Sequence, residues 1–150
     1  MPDIQFNVTD QHIAGVRSDM QAMPKYGANA PHGPGLWAGN VASKYAEQVI
    51  ANSGPQVGAE YKRLNDIAND PRLLASSNKA EQDRQGDASI AAAEMRHAAM
   101  RAILKRDPTL GTDFPLLRAA AAPIQKSEAT GSVKAAMKTP SRERSFRPFA

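Results

Sequence analysis

Hydrophobic positions change period several times along the chain, and each change marks an expected element. Ile4, Phe6 and Val8 alternate with Gln5 and Asn7, the period of two that suits a strand or a short extended segment. One strand has no sheet of its own, so this segment is expected to pair with another chain or to lie against the body as an arm. Residues 10 to 23 read as a weak helix with Asp10 as its N-cap and Ile13, Val16 and Met20 on one side, weakened by Gly15. Three Pro and three Gly then follow Met23 within a dozen positions, so the stretch to Gly35 is expected to be a linker or extended arm.

From Leu36 the period becomes helical. Trp37, Val41, Tyr45 and Val49 recur every four residues with Ala38, Ala42, Ala46 and Ile50 beside them, which predicts a helix with one broad apolar stripe. Asn52-Ser53-Gly54-Pro55 ends it and begins another, because Gly suits a C-terminal cap and Pro a first turn. Val57, Tyr61, Leu64 and Ala68 share a face of that second helix; Asp70-Pro71 ends it, and Leu73 and Leu74 fall in a short third piece. Residues 76 to 87 are polar throughout and read as a surface loop or frayed helix, with Asp87 capping a long helix over 88 to 106. There, Ile90, Ala93, His97, Met100 and Leu104 form one seam and Ala91, Met95, Ala98 and Ala102 an adjoining one, so neighbours are expected on two sides. Glu94 precedes Arg101, Lys105 and Arg106, an order that complements the helix dipole, and Asp107-Pro108 stops the helix. Asp113 is placed to cap a short helix through Phe114, Leu116, Leu117 and Ala119 to Ala122. Residues 127 to 138 are a weak helix candidate broken by Gly131, and the end, TPSRERSFRPFA, has no periodicity. The expected fold is mainly α: an extended N-terminal arm and linker over 1–35, a helical body over 36–125 and an irregular basic tail over 126–150.

Composition changes this picture in one respect. The 150 residues suit a single domain, but they include 27 Ala against 25 Leu, Ile, Val and Phe combined. Ala buries little area, whereas a fully buried Leu or Phe contributes about 1.5–3 kcal/mol, so a thin core completed by other copies or partners is expected. Charge is similarly uneven. Residues 1 to 125 hold 13 Lys and Arg against 13 Asp and Glu, so the net +4 resides entirely in the last 25 residues. The chain has no Cys, which excludes disulfides and thiolate metal ligands. No apolar run reaches the roughly 18 residues of a membrane span, and no basic-then-apolar leader opens the sequence.

Candidate chemistry is sparse. Glu94-x-x-His97 has the spacing of a carboxylate-bridged metal helix, but such a site needs a second copy of the motif and further carboxylates, so no metal and no cofactor are expected. Gly27, Gly33 and Gly35 lack the Gly-Lys-Ser/Thr ending and the preceding strand of a phosphate loop. There is no Gly-x-Ser-x-Gly elbow and no thiol nucleophile, so no catalytic residue is assigned. Trp37, Tyr45 and Tyr61 suit helix packing better than base stacking. In the tail, Arg142, Arg144 and Arg147 interleave with Phe146 and Phe149; this pattern suits phosphate contacts, a peptide that docks on a neighbouring subunit, or a solvated end.

An Ala-rich helical centre, a Pro/Gly-rich N-terminal arm, a basic C-terminal tail, plentiful Gln and Asn and no Cys together resemble small virion proteins of tailed bacteriophages: tail, collar, capsid-associated or internal ejection components. The resemblance is one of whole-chain character and transfers no individual residue. It implies a non-enzymatic assembly component in a virion, made in the host cytoplasm, with other copies of itself or other structural proteins as partners and DNA contact through the tail as a further option. The expected protein-docking residues are Ile4, Phe6, Val8, Trp37, Val41, Tyr45, Phe146 and Phe149. The alternative is a cytoplasmic accessory protein that holds nucleic acid with its basic tail.

Overall fold

The computed structural model describes residues 4–23 and 33–124. The expected N-terminal positions 1–3, most of the Pro/Gly-rich stretch and everything from 125 onward, including Arg142, Arg144, Phe146, Arg147 and Phe149, lie outside the described residues. Among the described residues there are six α-helices and no strand, so the protein is mainly α: α1 (Asp10–Gln21), α2 (Gly33–Ala51), α3 (Pro55–Ala68), α4 (Pro71–Leu74), α5 (Lys79–Arg106) and α6 (Thr109–Asp113), followed by a 3-10 stretch, Pro115–Ala121. They divide into two compact units. One takes the chain through Tyr61 and again from Met95 to Pro123, and the other takes Lys62–Glu94 and Ile124.

In the first unit, residues 4–9 are extended and lie against their own chain. The Asn7 N–H donates to Ser53 Oγ (2.9 Å), its Nδ2 to the Asn52 carbonyl (3.3 Å), and Asn52 Nδ2 returns a bond to the Asn7 carbonyl (3.2 Å). Two of these bonds satisfy the backbone N–H and carbonyl of Asn7, next to the buried Val8. α1 then starts one residue earlier than the sequence suggests. Thr9, not Asp10, is the N-cap: its Oγ1 accepts the His12 N–H (3.3 Å), and the His12 imidazole accepts the Thr9 N–H in return. Asp10 instead accepts from Arg106 (2.7 Å). The buried face of α1 is His12, Val16 and Met20.

α2 buries Ala38, Val41, Ala42, Tyr45, Ala46, Val49 and Ile50, the stripe that the four-residue spacing predicts. It begins at Gly33, inside the stretch expected to be a linker, because Gly33 adopts φ +77° and Pro34 then occupies the first turn, where a missing N–H is no loss. α1 and α2 interlock at one spot, where Gly15 gives the Tyr45 ring room. The Tyr45 hydroxyl and Lys44 Nζ both donate to Asp19 Oδ2 (2.9 and 3.0 Å), and the Trp37 indole donates to the Asp19 carbonyl (3.1 Å). Two residues before Asp19 on α1, Arg17 reaches Asp113 (2.8 Å), Thr109 (2.7 Å) and, at longer range, Asp107 (3.5 Å). Asp113 therefore does not cap the segment after it. Pro115–Ala121 forms a 3-10 stretch with no side-chain cap, since the carboxylate expected to supply one is turned to the guanidinium.

The interior of this unit is less thin than composition suggests. Eight larger side chains are essentially inaccessible: Val16, Met20, Val49, Ile50, Met100, Ile103, Leu110 and Leu117. Ala38, Ala46 and Ala99 fill between them, so the scarce large residues are concentrated where they count and the alanines allow close helix approach.

In the second unit α5 starts at Lys79, well before Asp87. Asn78 Oδ1 accepts the Glu81 N–H (3.1 Å), Lys79 pairs with Asp83 (3.2 Å), and Gln85 Nε2 donates to the Ala68 carbonyl (2.8 Å) at the end of α3. A polar run is thus a helix held by caps and by bonds to a neighbouring helix end, which apolar periodicity cannot register. Asp70 caps α4 by accepting the Arg72 N–H (2.9 Å), and Leu64, Ala68, Leu73, Ala88 and Ala92 are buried. No helix of the described residues is long and apolar enough to cross a membrane.

Candidate functional site

The first unit carries a cleft of about 300 Å³ lined by α2, α5 and the 3-10 stretch. α2 contributes Gly35, Gly39, Ala42 and Ser43; the 3-10 stretch contributes Leu116, Ala119 and Ala120. Gly35 and Gly39 are one helical turn apart, and a Cβ on either would meet nothing within 4 Å. Each glycine costs a helix interior about 0.5–1 kcal/mol relative to alanine, and no neighbour among the described residues requires that sacrifice. They leave α2 with bare backbone facing open space. Leu116 of the lining stands 45% exposed, so a large apolar group borders a surface of very small ones.

Two basic residues of α5, Arg96 and His97, complete the lining. Arg96 Nη1 donates to the Tyr61 hydroxyl (2.9 Å), which donates to Glu47 Oε2 (2.5 Å), and the guanidinium lies 6.0 Å from the Tyr61 ring centroid. Burial, then the bond to Glu47, pushes the Tyr61 phenol up from its ordinary range. Arg96 is thereby fixed in direction and partly balanced in charge. Tyr61→Phe removes the middle member and leaves both ends to resolvate; the expected loss is about 0.5–1.5 kcal/mol in urea unfolding, and Glu47→Gln should cost less because it keeps an acceptor.

His97 Nδ1 lies 2.7 Å from the Ala122 carbonyl. A carbonyl only accepts, so Nδ1 carries a proton and donates it to that oxygen. Arg101 donates to the Ala121 carbonyl (2.9 Å), and the Ile124 N–H donates to Glu94 Oε1 (2.8 Å). Glu94 and His97, the pair with metal-helix spacing, are therefore spent on backbone groups of residues 122–124. Among the described residues no group of three or more His, Asp or Glu side chains could hold a metal ion.

The docking residues expected from sequence fall into three places. Val8, Val41 and Tyr45 are buried within the first unit, and Ile4, Phe6 and Trp37 are half-buried there. Phe146 and Phe149, with the three tail arginines, are outside the described residues. The cleft instead gathers Gly35, Gly39, Leu116, Ala119 and Arg96, none of them among the expected docking residues. The one available signal was the Gly35/Gly39 spacing of four, which a linker reading of Gly35 conceals. None of the family models, curated proteins or solved structures compared with the chain matches it.

Proposed function

We propose that this protein is a non-enzymatic structural component of a large assembly, most simply a virion protein of a tailed phage, which packs against neighbouring subunits through the cleft of its first unit and through its terminal segments. The observation that carries this reading is the open glycine floor of α2 beside the exposed Leu116. A helix or side chain from a neighbour can approach that backbone more closely than any Cβ would permit, and Leu116 supplies apolar area at the edge. The whole-chain resemblance to small phage virion proteins supports the choice of assembly.

The test is light scattering coupled to size exclusion at low and high salt. The wild-type chain is expected to elute as a multiple of 16.1 kDa, little affected by salt, and Leu116→Glu or Gly39→Leu to reduce it towards the single-chain mass with helicity unchanged. A wild-type protein that stays at the single-chain mass would defeat the reading.

The uneven charge supports a second reading, a nucleic-acid accessory protein whose neutral body presents a basic tail. It requires binding to DNA that weakens steeply with salt and disappears on removal of residues 139–150, with the mass unaffected.

A further inference from the structure

The first turn of α1 is closed by a titratable residue. In the usual reciprocal cap, the residue three beyond the N-cap is Glu or Gln, whose oxygen accepts the N-cap N–H. Here that acceptor is His12 Nδ1, 3.0 Å from the Thr9 nitrogen, while the His12 N–H donates to Thr9 Oγ1 at 3.3 Å. Accepting the Thr9 N–H requires a bare lone pair on Nδ1, so the cap exists only with the neutral ring and its proton on Nε2. An imidazolium presents N–H at both nitrogens. Its Nδ1–H then faces the Thr9 N–H, donor to donor, and its nearest alternative is Thr9 Oγ1 at 3.2 Å. That oxygen already serves the His12 backbone. The added charge also sits at the positive end of a twelve-residue helix.

We infer that Thr9 and His12 form a proton-operated clasp, which holds residues 4–9 against the body when His12 is neutral and releases them when it is protonated.

Geometry on both sides of the clasp supports this. His12 is buried, as is Val8 directly before the cap, and upstream of Thr9 the segment is attached through three bonds between Asn7 and the Asn52–Ser53 turn. Among the described residues, the nearby carboxylates of α1 and α2 are already paired with other groups. On α1, Asp10 is held by Arg106 of α5, Arg17 by Asp113 and Asp107, and Asp19 by Lys44 of α2. Glu47 of α2 accepts from Tyr61. Burial alone holds the His12 pKa below its ordinary value of 6.5. The sign follows: the unfolded segment binds the proton more readily, so the clasp has its full strength above about pH 6.5 and weakens as pH falls through the lower folded value. The segment freed carries Ile4, Phe6 and Val8 in alternation, the apolar pattern of a strand in search of a partner.

The experiment uses the full chain, with backbone amide NMR followed from pH 7.5 to pH 4.5 and Trp37 fluorescence as a monitor of global folding. The Thr9 and Asn7 amides should titrate together with the His12 ring, and order parameters of residues 4–9 should fall from about 0.85 to below about 0.6, with Trp37 emission constant. His12→Gln supplies an uncharged acceptor at the same place and should keep these residues ordered throughout. Should that variant fail to fold, His12→Asn, a shorter uncharged acceptor, takes its place and should likewise show no pH-dependent release of the Thr9 amide. Thr9 and Asn7 amides indifferent to His12, the same transition in His12→Gln, or a simultaneous loss of Trp37 structure would each overturn the clasp.

Discussion

Gly15→Ala is expected to destabilise the first unit by about 1–3 kcal/mol, although the same change at an open helical position stabilises by about 0.5–1 kcal/mol. A Cβ at Gly15 would stand 2.4 Å from Tyr45 Cε1 and 2.7 Å from both Cζ and the hydroxyl oxygen. No carbon approaches another so closely, so either the ring or the helix must move. The ring has little freedom to do so, being 8% exposed, bonded through its hydroxyl to Asp19, and covered by Lys44 Nζ 5.1 Å from its centroid. Separating α1 from α2 instead would draw Val16 and Met20 out of the interior. The cause can be isolated with a double-mutant cycle in urea. In a Tyr45→Leu background the obstructing atoms are gone, and Gly15→Ala should become neutral or mildly stabilising, with a coupling of about 1–3 kcal/mol. Equal destabilisation in both backgrounds would show that the glycine is needed for some other reason.

The second large effect concerns the interior itself. Ile103 on α5 has no solvent exposure, and truncation to alanine should cost about 2–5 kcal/mol through lost transfer energy and the cavity left behind. Against a total stability of about 5–15 kcal/mol for a typical domain, that is a substantial part. Leu74→Ala, at a side chain 59% exposed, should stay within about 0.5 kcal/mol. The comparison is read from urea midpoints at constant slope. A small loss at Ile103 would mean that the surrounding alanines close the cavity and that this interior is softer than its burial implies.

These two sites also mark how far the sequence can be read. Where large and small residues alternate with a clear period, as in α2, the buried face follows from spacing, and the Gly54-Pro55 boundary follows from backbone preference. In α5 the expected seams miss most of the buried line, which runs through Ala88, Ala92, Met95, Ala99, Met100 and Ile103. Alanine is so frequent there that several faces look equally apolar, and packing partners choose among them. The early start of α5 was hidden for a different reason, since polar side chains such as Asn78 and Gln85 hold it, and their partners lie elsewhere in the chain. The cap of α1 needed knowledge of a side-chain bond rather than of residue preference: Thr9 and Asp10 are both good N-caps, and only the reciprocal bond with His12 separates them. The cleft was least legible, because its character comes from what glycine omits.

Sulfur is prominent in the sealed interior of the first unit, where Met20, Met95 and Met100 are all buried. A peroxide can attack those thioethers only during moments when the unit opens. The sulfoxide then formed is polar and has no place in the space it left, so an opened molecule is prevented from closing again. Oxidative ageing of this protein should accordingly act as a ratchet, its pace set by the fraction of time the helices stand apart multiplied by the oxidant they then meet.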